Sequence, residues 1–272
     1  MVEFKIKCLL LGVADGVGGW HSYGIDPSLF SCTLMNNCVR IVEESHRFGS
    51  AEHGSDPKYL LQLAYQDLLE EKAPLIGSAT ACIVSLCRKT RTLNSVNLGD
   101  SGYIIVRKGK VVARSEALMH YFNTPFQLSN VPHTQEGQAI SDMPENGLTN
   151  AVPVEEGDLI VIATDGLFDN LHEDMIVEHI SKLKTFTVES LQRVANSLAS
   201  SARRLAFDPD YMSPFALAAK DAGLDICGGK PDDVTVVVAV VLPQESDDNA
   251  QVLSVSAETT STASTAEQCA PS

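Results

Sequence analysis

Basic residues are scarce in this chain. Its 272 residues hold 20 Lys and Arg against 35 Asp and Glu, a formal net charge of −15. No Lys/Arg run concentrates the positive charge, which excludes nucleic-acid binding through a general basic field. Long apolar runs are missing as well, and none reaches the ~18 residues of a membrane span. The opening MVEFKIKCLLLGVADG is too short for a secretory signal peptide and lacks a small-residue cleavage site. It reads as a chain that starts inside a strand. No CxxC or Cys/His spacing appears, so a zinc site is excluded. The seven cysteines are odd in number and fit a reducing compartment; Cys82 and Cys87 read as small buried hydrophobes. There is no internal repeat. The GVGG at 16–19 lacks the GK[ST] of a P-loop and does not complete G-x-G-x-x-G.

What is present is enough apolar material, 44%, for one large domain with its own core. Asp26-Pro27 and Asp56-Pro57 pair an N-cap with a first-turn proline. Helical spacing then runs to about Arg47 and to just before Lys72, with FGSAEHGSD as a loop between them. Strands follow at 79–87, 92–98, 102–108 and 110–115, the last two joined by a hairpin turn at Lys108-Gly109-Lys110. Residues 116–156 show no period and read as long loops. A buried strand at 158–164 precedes helices at about 173–184 and 187–206, and a short helix runs from Ser213-Pro214 to Gly223. The last strand is 234–242. Domain organisation is therefore one domain over 1–243 and a disordered Ser/Thr/Ala-rich tail over 244–272. Strands and helices in blocks, rather than in strict alternation, predict an α+β fold with antiparallel sheets.

Carboxylates recur at strand ends. Asp15-Gly16 ends the first strand, Asp165-Gly166 ends DLIVIAT, and Asp232-Asp233 opens the last strand after GGKP. Asp100 lies in a tight turn, Gly99-Asp100-Ser101-Gly102. A single Asp-Gly is ordinarily a β-turn. Repeated at the tips of buried strands, it offers short rigid carboxylates to a hard cation, with the glycine carbonyl as a further oxygen donor. Without nitrogen or sulfur donors beside them, the metal implied is Mg²⁺ or Mn²⁺.

LGVADGVGGW, GSATACIV, VNLGDSGY, IATDGLFDN and GKPDDVTVVV follow one another in this order. Together they resemble the metal-dependent protein phosphatases of type 2C over about residues 8–242. YFNTPFQLS and FDPDYMSPFA resemble the mitochondrial, T-cell-activation branch of that family. The resemblance implies a four-layer αββα sandwich of two antiparallel sheets, with two Mg²⁺ or Mn²⁺ ions at one end. It implies Asp15 as the carboxylate that bridges both metals and the Gly16 carbonyl as a ligand to one. Asp165 and Asp232 match the positions that hold the other, Asp100 matches a third, weaker site, and Asp169 matches a supporting residue. Asp233 is expected to serve the turn. The implied activity is hydrolysis of phosphoserine and phosphothreonine in proteins by metal-activated water, with Asp15, Asp165 and Asp232 as the catalytic set. The implied partner is a phosphoprotein, the implied state a monomer, and the implied compartment the mitochondrial matrix, the cytoplasm otherwise.

Two departures stand out. Many members read Asp-Gly-His-Gly-Gly, whereas here Val17 replaces the histidine, as it does in the branch resembled; His21 is nearby and reads as structural. Members also carry an earlier strand pair with a phosphate-binding Arg and an acidic pair. The fourteen residues before Asp15 contain no Arg and no Asp, and Glu3 is isolated, so the expectation is a member whose N-terminus is incomplete. A non-catalytic relative that binds a phosphoprotein is the alternative reading.

Overall fold

A computed structural model describes residues 8–48, 56–87, 89–132, 140–245 and 249–259. Most of the predicted loop at 48–56, Glu3, and the tail beyond Thr259 lie outside the described residues. The first sheet has the order β1 (Cys8–Val13), β3 (Ala81–Cys87), β4 (Thr92–Leu98) and β10 (Leu148–Pro153), each pair antiparallel. The second has the order β13 (Asn249–Thr259), β12 (Val234–Glu245), β11 (Leu159–Ala163), β5 (Gly102–Arg107) and β6 (Lys110–Arg114), again antiparallel throughout.

The period of two in the strands builds the layers. Cys82, Val84 and Leu86 on β3 face Tyr103 and Ile105 on β5 and Ile160 and Ile162 on β11, forming the core between the sheets. Ile83, Val96 and Leu98 point the other way, onto Phe30 and Leu34 of α1 (Pro27–Phe48) and Leu60 and Leu68 of α2 (Pro57–Leu69). Ile104, Val106 and Val161 meet Leu191, Leu198 and Leu205 of α5 (Val188–Ala206). The result is helix, sheet, sheet, helix, the αββα sandwich that the family resemblance implied. Fully burying one such Leu or Ile contributes about 1.5–3 kcal/mol. Asp26 accepts from the Ser28 N–H at 3.0 Å and Asp56 from the Lys58 N–H at 2.9 Å, so both aspartates cap as expected. Among the described residues no helix is long and apolar enough to cross a membrane.

Two segments differ from the sequence reading. Residues 116–156 contain β7 (Met119–Tyr121), β8 (Thr124–Pro125), β9 (Leu128–Asn130) and β10, with β2 (Gly77–Ala79) paired to β9. β10 is an outer strand whose side chains are nearly all exposed, so no alternating apolar face marked it. The expected tail is also structured in part. β12 runs on to Glu245 and β13 pairs along it, Val238 opposite Val255 and Val236 opposite Ala257. Val255 and Ala257 are buried beneath α5 while Ser256 and Glu258 face outward. Small polar residues on the outer face of this edge strand gave it the composition of a disordered segment.

Candidate metal centre

Strand direction delivers the acidic residues to one edge of the sandwich. β1 and β4 end there, with Asp15 and Asp100 just beyond them. β11 ends there at Ala163, two residues before Asp165, the first residue of α3 (Asp165–Phe168), and β12 begins there after Asp232. Asp15, Asp165 and Asp232 each place a carboxylate oxygen within 4.8 Å of the other two. Asp100 stands outside this set of three but is electrostatically coupled to Asp165 and Asp169.

Each loop is fixed by its neighbours. The Asp15 N–H donates to Thr80 Oγ1 at 3.2 Å, the Thr80 N–H returns to the Asp15 carbonyl at 2.9 Å, and Thr80 Oγ1 lies 2.7 Å from Ser101 Oγ. Gly16 pairs with Ala79 across an isolated bridge, and a Cβ there would meet the Pro27 carbonyl oxygen at 2.3 Å. Gly166 is equally confined, with the Asp233 carbonyl oxygen 2.2 Å from any Cβ. Trp20 secures the far side of the glycine-rich turn by donating from Nε1 to Ser78 Oγ at 2.7 Å. These contacts close the corner and hold Asp15. Asp233 accepts from Thr164 Oγ1 through its carbonyl at 3.3 Å, a role in the turn. His21 is exposed.

Burial, reinforced by the crowding of like charges, shifts these groups. Burial first, then the Asp165 and Asp232 carboxylates, pushes Asp15 up to about 9. Burial followed by Asp165 raises Asp100 to about 7 and Asp232 to about 6. Asp169 rises to about 6 because burial outweighs the opposing pull of Lys230. A cluster that holds protons this tightly is short of positive charge, and its donors are all oxygen. These residues therefore fit a hard divalent cation.

Sequence reasoning missed two residues. Lys230 reaches into the cluster, with Nζ 2.5 Å from Asp165 Oδ2, 2.8 Å from Asp169 Oδ2 and 3.3 Å from Asp232 Oδ2. Its side chain is 17% exposed. Burial opposes its charge, but the three aspartates outweigh that and hold its pKa above the ordinary lysine value. Asn170, fully buried, ties the loop of Lys230 to α3: its Nδ2 donates to the Gly166 and Lys230 carbonyls, and its Oδ1 accepts from the Lys230 N–H. The only signal in the sequence was position, two residues before Asp232 and one after Asp169. Cys82 and Arg88 have the spacing of a cysteine-phosphatase signature, but Cys82 lies inside β3, fully buried, and burial pushes its thiol up to about 12. It cannot supply a thiolate nucleophile.

A two-sheet αββα sandwich with carboxylates drawn to one edge from β1, β11 and β12 has the architecture of the type 2C protein phosphatases. The photosystem II phosphatase PBCP superposes with a TM-score of 0.71 at 31% identity, covering 86% of this chain and 91% of that one. The catalytic domain of the serine/threonine protein phosphatase PstP, crystallised with two manganese ions, shares the fold, with a TM-score of 0.51 at 18% identity over 89% of this chain and 94% of that one. No family model matches the chain. A protein phosphatase PTC7 homolog of Xenopus laevis is 52% identical over 232 residues, 85% of this chain and 76% of that protein. The chain belongs to the PTC7 family of protein phosphatases.

Proposed function

We propose that this chain is a Mg²⁺- or Mn²⁺-dependent phosphatase of phosphoserine and phosphothreonine in proteins, acting as a monomer in the mitochondrial matrix. The observation that carries the reading is the mutual approach of Asp15, Asp165 and Asp232 to within 4.8 Å, three carboxylates from separate loops with oxygen donors alone. The manganese ions of PstP and the PTC7 resemblance support the same reading. The site would hold two ions, on Asp15, the Gly16 carbonyl, Asp165 and Asp232, with a third, weaker one at Asp100. Bound there, the ions supply Lewis acidity toward water and toward the phosphoryl oxygens.

The chain's own residues do the rest. Asp15 must shed its proton to ligate, so its raised pKa makes metal binding release a proton. The rigid strand ends hold the carboxylates in place before substrate arrives, which keeps the reorganisation cost of the chemical step low. Val17 brings no proton donor, so no histidine at that position assists the leaving oxygen. The test is phosphate release from a phosphothreonine peptide across a Mn²⁺ titration, with Asp165→Asn in parallel. Release that needs Mn²⁺ and is lost in Asp165→Asn is the expected result. A folded, Mn²⁺-binding chain without turnover would favour the non-catalytic alternative.

A further inference from the structure

Every carboxylate of the proposed metal centre that carries an ion pair does so with one residue, Lys230, among the described residues. Its Nζ touches Asp165 Oδ2 and Asp232 Oδ2, both members of the three-carboxylate set, and Asp169 Oδ2 beside them. An ammonium at these distances and a small divalent cation at about 2.0–2.1 Å from the same oxygens compete for one space. Two cations sharing it would also repel each other strongly in a poorly solvated pocket.

The backbone of Lys230 cannot leave, because Asn170 grips both its N–H, at 2.9 Å, and its carbonyl, at 2.8 Å. The four-carbon stem can swing, and a second resting place is already in reach: Nζ lies 5.5 Å from the centroid of the Phe215 ring. An aromatic face at that range holds an ammonium weakly and without a carboxylate. The anchored backbone, the flexible stem and the two alternative seats make an exchangeable charge.

We propose that Lys230 is a tethered counter-ion of the metal centre, its ammonium occupying the carboxylate cluster in the metal-free chain and yielding it to divalent cations as they load. This rests on the metal-centre reading above. Lys230 is then a positioning residue: it holds Asp165, Asp169 and Asp232 together without metal and lowers the affinity of the site for metal by the same contacts. Metal binding becomes an exchange of one cation for another, so the loops need not collapse or spread apart when the ions leave.

The experiment is calorimetric titration of the metal-free chain with Mn²⁺, for the unaltered protein, Lys230→Met and Lys230→Arg. Lys230→Met is expected to bind Mn²⁺ at least about tenfold more tightly, since a competing charge has gone. Its metal-free form should melt several degrees lower, and its gain in Tm on adding Mn²⁺ should be larger. Lys230→Arg keeps the charge and stays close to the unaltered affinity. Unchanged or weaker Mn²⁺ binding by Lys230→Met overturns the proposal. Should that variant fail to fold without metal, the unaltered protein still decides. Acetylation by an N-hydroxysuccinimide ester, mapped by mass spectrometry, should rise severalfold at Lys230 when Mg²⁺ is added while that of Lys58 stays constant. Labelling of Lys230 that is unchanged or lower with Mg²⁺ overturns the proposal equally. If the unaltered chain and Asp165→Asn alike bind no Mn²⁺, the metal reading itself fails, an outcome distinct from a Lys230 that binds and does not exchange.

Discussion

The two ends of the sandwich each bury an aspartate, and they treat it in opposite ways. At the end away from the candidate metal centre, Asp158 is fully buried and fully answered. Arg107 donates from Nε and Nη2 at 2.8 Å each, the Glu155 N–H adds a third bond at 2.8 Å, and Arg107 Nη1 reaches Glu155 at 2.7 Å. At the other end, five aspartates (15, 100, 165, 169 and 232) crowd around one lysine, four of them with raised pKa values. The same β5 and β11 strands span both ends, from Arg107 and Leu159 to Gly102 and Ala163. One end is a finished structural joint; the other keeps a deficit of positive charge, the imbalance that the proposed metal ions would correct.

Mutation should separate the two. The largest effect is expected from Asp165→Asn, which should lower Mn²⁺-dependent phosphate release by about a thousandfold or more while leaving the urea midpoint of the metal-free chain little changed or raised. Asp158→Ala should do the reverse. Losing one partner of a buried pair costs about 3–5 kcal/mol, read as a fall in the urea midpoint, with turnover intact where the protein remains folded. Gly166→Ala should affect both ends' observables, since its Cβ would meet the Asp233 carbonyl; overpacking of about 1–3 kcal/mol and weaker Mn²⁺ binding are expected together.

The pH dependence should also divide them. A carboxyl whose folded pKa lies above its unfolded value favours the folded chain at low pH, and that advantage is lost as pH rises through the folded value. For Asp15 the window runs from 3.8 to about 9, so the Tm of the metal-free chain should fall across it and Asp15→Asn should flatten the slope. Added Mn²⁺ should bind more tightly as pH rises, with proton release visible in buffers of different ionisation enthalpy. The smallest expected effect is Val255→Ala in β13, about 1–2 kcal/mol for a truncated buried side chain, measured by urea unfolding. A loss near zero would show that β13 adds nothing to the core.

The strands were legible because an apolar run bounded by turn residues is a local signal; which side of β3 each residue takes, Cys82, Val84 and Leu86 against Ile83, was not, since the run is apolar on both faces. The capping aspartates and the Asp-Gly pairs were legible for a similar reason, since each performs a local task with local residues. β10 and β13 were not, because edge strands need no apolar alternation on their open side, and Ser/Thr-rich composition mimics disorder. Lys230 was hidden for another reason. Its partners Asp165 and Asp169 lie more than sixty residues away, and no local pattern marks a charge whose meaning depends on a loop brought alongside by Asn170.

The two sheets also act as the jaws of a calliper. Asp15 rides on the first sheet, Asp165 and Asp232 on the second, and the layer of Val13, Val84, Tyr103 and Ile162 between them sets the opening. Sheets pack about 10 Å apart, whereas the carboxylates tolerate changes of only tenths of an ångström around a small ion. On the proposed function, the size of side chains deep in the sandwich, out of contact with any substrate, would calibrate which ion the rim can grip.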